Sequence, residues 1–212
     1  MDGMARVSQA HLDARRRQIL DAAAVCFARN GFHATSMQDV LKEADLSAGA
    51  VYRYFSGKEE LIGAIVAEVL GQVHEGFEEA ARSSPPPPPD LLVASVLGRV
   101  LATKETVTVD GRPAFPRLVV QVWTETLRNE ELAAVLREGY GAVRETWTRI
   151  VGAYQDAGAM RSDVPPEHVA RTMMAAAMGF IAQQALFGPT PAEVLGDGLR
   201  ALMSVRDEAG TR

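Results

Sequence analysis

The residues of this sequence equipped for covalent or metal chemistry are four histidines, one cysteine and two glycine-containing stretches. His11, His33, His74 and His168 are scattered without metal-ligand spacing, and Cys26 falls beside an apolar helical stripe, where a thiol is inert. GDGLRA (196–201) is a lone G-x-G-x-x-A inside a helical pattern with no strand ahead of it. SGK (56–58) has Tyr52 where a phosphate loop needs its first glycine. Neither catalysis, a metal nor a cofactor is therefore expected.

A different chemistry suits SAGAVYRYFSGKEEL (47–61). Read as a helix, it places Val51 and Phe55 on one face, ready to pack on Ile19, Phe27, Val40 and Leu46. Gly49 and Arg53 then point the other way, flanked by Ala50 and Tyr52. An ordinary exposed face would carry Glu, Lys and Gln. This one carries Ser47, Ala48 and Gly49, then Tyr52, Arg53 and Tyr54. Small residues let a helix end approach a nucleic-acid groove closely, tyrosines meet phosphate or thymine methyls, and arginine reaches phosphate or a guanine edge. Lys58 opens the following helix, where the dipole prefers acids, so an external anion is expected to hold it there. On this helix alone a second reading stays open, in which the tyrosines are packing residues and Arg53 is a solvated charge.

The elements that must position this helix are marked in the sequence. Leu12, Ile19, Ala23 and Phe27 share one face of a first helix that stops at Asn30-Gly31. Met37, Val40, Leu41 and Ala44 give a short second helix, capped by Thr35 or Ser36 with Gln38 or Asp39 three residues on. The turn Asp45-Leu46-Ser47 leads to the third helix. Ser56-Gly57-Lys58-Glu59 reads as a capping box for a fourth, along which Leu61, Ile65, Val69 and Val73 form a stripe. SSPPPPPD (83–90) cannot be helical and is read as a stiff spacer. Further helices are expected at about 90–104, 116–128, 130–157, 165–187 and 191–205. The last has Thr190 as N-cap, Pro191 first and Glu193 third. No stretch alternates well enough to be assigned as a strand; ETVTVDG (105–111) is the best candidate.

Charge fits the same division. The chain carries a formal charge of -5, but residues 1–60 hold eight basic and eight acidic side chains, so the deficit lies beyond them. Only the N-terminal third can approach a polyanion without strong repulsion. With 47% hydrophobic residues and one cysteine, the chain is expected to be globular and to reside in a reducing cytoplasm. The apolar stretch 169–188 is broken by Arg171, Gln183 and Gln184 and reads as a buried helix, so no membrane span is expected. Nor does the N-terminus show a secretory leader.

RRRQILDAAAVCFARNGFHATSMQDVLKEADLSAGAVYRYFSGKEEL resembles the DNA-binding domain of the TetR family of one-component bacterial transcriptional regulators. The resemblance implies an all-α protein of about nine helices. Its parts would be a DNA-binding domain at 13–73 with the helix-turn-helix at about 36–55, a connecting segment and proline spacer at 74–90, and a C-terminal ligand-binding and dimerisation domain at 91–206. It implies DNA contacts from Ser47, Gly49, Tyr52, Tyr54 and Lys58 and a phosphate contact from Thr35 or Ser36; Ala48 and Arg53 join the expected set from their place on the same helix. The sequence departs from the family pattern at Asp45, often glycine, and at Ala48, often lysine or another polar residue.

Residues 118–188 are similar to the C-terminal domain of choline-responsive repressors of that family. The resemblance implies a homodimer on a palindromic double-stranded operator, nucleoid-associated when bound and released by a small effector. Phe115, Trp123, Tyr140, Trp147, Met173, Met174, Met178 and Phe180 are large apolar side chains able to line a lipophilic cavity, and equally able to fill a core. Gln183, Glu125 or Glu145 would be the polar anchor. Ala175, Gly179, Leu195, Leu199 and Leu202 would form the dimer surface on the last two helices. A regulator without effector response, or an activator, has the same DNA-binding half and stays open.

Overall fold

The computed structural model describes residues 9–83 and 86–204. Ser84 and Pro85 of the proline run, and positions 205 and 206 where the last helix and domain were expected to end, lie outside the described residues. Among the described residues nine helices run in order: α1 Gln9–Asn30, α2 Met37–Ala44, α3 Ala48–Tyr52, α4 Lys58–Ala81, α5 Pro89–Thr103, α6 Phe115–Glu125, α7 Glu130–Asp156, α8 Pro166–Phe187 and α9 Ala192–Met203. Among the described residues no helix is long and apolar enough to cross a membrane.

One short hairpin interrupts the all-helical expectation. β1 (Thr108–Val109) pairs antiparallel with β2 (Arg112–Pro113), Val109 opposite Arg112. Asp110 (φ 53°) and Gly111 (φ 72°) both adopt the left-handed conformation, as a tight two-residue hairpin turn requires. Two residues per strand are too few to create an alternating pattern. The Asp-Gly pair inside the best strand candidate was the available signal.

The chain divides into two compact units, Met1–Glu68 with Glu105–Val135, and Val69–Lys104 with Leu136–Arg212. This division does not follow the boundaries drawn from sequence, because the hairpin and α6 cluster with the N-terminal helices. In the first unit α1 touches α2, β1 and α6. Ile19, Phe27, Val40 and Val51 are fully buried there, and Phe55 almost so, the face the helical phase required. Gly31 ends α1 at φ 82°, its amide donating to Phe27 O at 2.8 Å. Of the alternatives for capping α2, Ser36 and Asp39 are used. The serine Oγ accepts from Asp39 N, and the aspartate Oδ2 accepts from Ser36 N at 2.8 Å. Ahead of α4 the reciprocal carboxylate is Glu60, not Glu59, accepting from both Ser56 N and Ser56 Oγ.

The second unit is built on Phe77, Leu92, Val93, Val96, Val143, Trp147, Ile150, Val151, Tyr154 and Met173. Phe77 and Trp147 pack with ring centroids 4.8 Å apart. α9 lies close on α5: a Cβ at Gly196 would stand 3.1 Å from Ala94 Cβ and 3.2 Å from Asp90 O, so glycine sets the approach. The buried Asp90 carboxylate accepts from Arg200 Nε at 2.8 Å beside that crossing. The proline run is fastened to this core, since the hydroxyl of Tyr154 donates to Pro87 O. Burial, with Asp90 second, pushes that phenol up to about 12. α9 begins one residue later than the sequence suggested: Pro191 is its N-cap and no side chain caps it.

Candidate nucleic-acid interface

The short α3 is held by its neighbours rather than by its own five residues. Gln18 Nε2 on α1 donates to Ala44 O at 2.8 Å and fastens the end of α2. Asp45 then turns the chain in the left-handed conformation (φ 53°), its amide directed at the carbonyls of Leu41 and Lys42. Ser47 caps α3, its Oγ accepting from Ala50 N at 3.3 Å. Beyond the helix, the Arg16 guanidinium lies over the Phe55 ring, 5.4 Å from its centroid.

With Val51 and Phe55 anchored inside, Ser47, Ala48, Gly49, Tyr52 and Arg53 stand exposed together and Tyr54 is half-buried. Arg53 has no ion-pair partner among the described residues, and Tyr52 is 51% exposed despite its apolar ring. A Cβ at Gly49 would meet nothing within 4 Å, so nothing inside the chain requires glycine there. Glycine weakens a helix by about 1 kcal/mol relative to alanine, and its use here fits close approach from outside.

Three of the expected contact residues are engaged internally. Thr35 is 2% exposed and its hydroxyl donates to Gly31 O at 2.8 Å and Cys26 O at 3.2 Å, closing the end of α1. Ser36 donates its hydroxyl hydrogen to Asp39 Oδ2 at 2.7 Å, which helps hold that carboxyl below the usual carboxylate range. Lys58 needs no external anion. Its ammonium donates to the carbonyls of Phe32 (3.0 Å), Thr35 (3.3 Å) and His33 (3.4 Å) and sits over the Phe32 ring. Three donors meet three acceptors that α1 and its turn leave open. Sequence spacing held no sign of this, because the partners lie more than twenty positions away. Cys26 is buried, and burial, with Glu43 second, pushes its thiol up to about 11.

The residues expected to line an effector cavity are divided between the two units. Phe115 (3% exposed) and the half-buried Trp123 belong to the first. Tyr140, Met174 and Met178 are half-buried in the second, where Trp147, 1% exposed against Phe77, fills the core. Gln183 is exposed, in phase with Ala175 and Gly179 on the outer face of α8, and Glu145 is exposed too. Glu125 is buried and paired with His33. Sequence reasoning passed over Gln184, whose Nε2 is buried with no partner among the described residues. Its helical phase with Met173, Ala177 and Phe180 was the available signal.

On the last two helices the expected dimer residues also separate. Leu195 and Leu199 pack against the core of their own unit. Ala175, Gly179 and Leu202 are exposed, the last at 74%, and with them Leu186, Phe187, Val194 and Met203. These seven leave an apolar outer face on α8 and α9.

Known proteins share both halves of this arrangement. Residues 19–65 match the bacterial regulatory proteins of the tetR family, and residues 101–204 match the C-terminal region of BetI-type transcriptional repressors. The HTH-type transcriptional regulator UidR of Escherichia coli K12 is 28% identical over 203 residues, 96% of each chain. YfiR of Bacillus subtilis, an uncharacterized HTH-type transcriptional regulator, is 29% identical over 191 residues, 90% of each. The GusR structure from Salmonella enterica superposes with a TM-score of 0.71 at 27% identity, covering 94% of this chain and all of that one. Bacillus subtilis FadR in complex with stearoyl-CoA shares the fold at a TM-score of 0.70 and 19% identity, covering 89% and 97% of the two chains. UidR and YfiR are named as HTH-type transcriptional regulators and not as enzymes, and with both halves matched the chain is a DNA-binding transcriptional regulator of the TetR family.

Proposed function

We propose that the protein is a homodimeric repressor that occupies a palindromic operator and leaves it when a small lipophilic effector binds the C-terminal part. The observation that carries the DNA-binding half is the outer face of α3, where Ser47, Ala48, Gly49, Tyr52 and Arg53 are exposed together. We assign direct operator contact to these residues and to Tyr54. Thr35, Ser36 and Lys58 act by shaping the turn and α2. Dimerisation is assigned to the outer face of α8 and α9, since exposed Leu186, Phe187, Val194 and Leu202 gain from burial. A two-fold dimer presents two α3 helices to half-sites about one turn of duplex, ~34 Å, apart.

The effector reading is supported by half-buried Tyr140, Met174 and Met178, by the unpartnered Gln184 Nε2, and by regulators of the same fold solved with stearoyl-CoA and with triclosan. An effector that offers an oxygen acceptor to Gln184 beside an apolar body fits that donor. Two relatives named as repressors, KstR2 and Rv1474c, favour release over activation.

The test is footprinting of the purified protein on the DNA upstream of its own and neighbouring genes, followed by titration of the protected duplex. Arg53→Ala is expected to lower affinity by about 1–3 kcal/mol. Leu202→Glu is expected to give monomers that lose the operator, because it places a charge in an apolar interface. No footprint, or undiminished binding by Arg53→Ala, would remove the assignment of α3. A Leu202→Glu protein that still sediments as a dimer would move the interface elsewhere.

A further inference from the structure

Glu125, the last residue of α6, has a side chain only 10% exposed, with Oε2 3.0 Å from Nε2 of His33. No other ion pair to this carboxylate occurs among the described residues. A carboxylate this buried needs a compensating donor, and the imidazole is the group placed to supply it. His33 is itself 66% exposed, so packing does not explain its position. It lies in the turn between α1 and α2, edge-on to the Phe32 ring at 5.6 Å. The same turn is held by Lys58, the first residue of α4, through the carbonyls of Phe32, His33 and Thr35. The next residue, Ser36, caps α2, which leads through Asp45 to α3. The turn is therefore gripped from two sides, through its main chain by α4 and through one side chain by α6.

We propose that the Glu125–His33 pair is a strut that positions the helix-turn-helix for operator binding, which makes Glu125 a positioning residue far in sequence from the DNA-contacting helix. Loosening the strut frees the turn that sets the entry into α2, and the added freedom must be lost again when α3 docks on DNA. The inference rests on the assignment of α3 as the operator-contacting helix.

A double-mutant cycle on the footprinted duplex tests it, using Glu125→Gln, His33→Gln, the double variant and His33→Lys, all well below their melting temperatures. Each single variant is expected to bind about 3–10-fold more weakly, and the double variant no more weakly than the worse single. His33→Lys places an ammonium donor opposite Glu125 and is expected to recover affinity to within about twofold. Singles that bind like the wild type overturn the strut. So does a double variant whose loss is the product of the two, or a His33→Lys protein as weak as His33→Gln. If Glu125→Gln does not fold, the two His33 variants decide alone, since that side chain is mostly exposed. Arg53→Ala separates the two readings: its failure removes α3, whereas its success with unaffected strut variants removes only the strut.

Discussion

The helices of the N-terminal helix-turn-helix begin differently from those of the second unit, although α6, which clusters with the former, also starts with a proline in its first turn and no side-chain cap. In the first, α2 and α3 each start at a serine whose Oγ receives a backbone amide, and Glu60 reaches back to Ser56 ahead of α4. In the second, α5, α8 and α9 start at Pro88, Pro165 and Pro191 with no side-chain cap. A proline start supplies stiffness and a stop to the preceding segment, but it satisfies no open amide. The helix-turn-helix is thus specified by side chains a few positions apart, while the second unit depends on packing between distant helices. Local specification suits a short reading helix of five residues, which cannot be stable alone. Packing-based specification leaves the outward helix faces free to vary.

Substitutions in the two units probe this contrast. The largest effect is expected for Trp147→Ala, which removes the largest fully buried side chain and the partner of Phe77. It should lower the unfolding free energy by ~3–5 kcal/mol in denaturant titration. A loss under 1 kcal/mol would mean that the second unit does not rely on that contact. Next comes Thr35→Val, which keeps shape but leaves the carbonyls of Cys26 and Gly31 without its hydroxyl. Its expected cost is ~1–3 kcal/mol in the same titration, with operator affinity unchanged to within about twofold. Weakened operator binding at unchanged stability would return Thr35 to the DNA contacts. The smallest effect is expected for Asp45→Gly, which relieves a left-handed residue at the end of α2 and should stabilise by up to ~1 kcal/mol. Destabilisation instead would show that the aspartate side chain contributes to the turn.

How much was legible in the sequence follows from the same contrast. The end of α1 and the starts of α2 and α3 could be read because Gly31, Ser36, Asp39 and Ser47 act on partners within a few positions, and the buried face of α3 because Val51 and Phe55 stand one helical turn apart. The role of Lys58 could not, since the carbonyls that take up its donors are brought near by folding, and for Thr35 the bond to Gly31 O four positions away leaves no pattern that tells it from a surface cap. In the candidate effector region the choice between Gln183 and Gln184 turns on about 100° of helical phase, which composition does not fix. Leu195 and Leu199 share a stripe with Leu202 in sequence, yet α5 covers one side of α9 and leaves Leu202 outside. The hairpin escaped because two paired residues per strand leave almost no pattern.

Cys26 has a consequence of its own for experiment. It is the only thiol in the chain, it sits in the DNA-binding unit at 2% exposure, and its thiol is held near 11. Alkylation needs a thiolate that a reagent can reach, and the folded unit withholds both. Capture of Cys26 by a thiol reagent near neutral pH therefore times the spontaneous opening of that unit alone. The native sequence thus contains its own stopwatch for the DNA-reading half, with or without operator present.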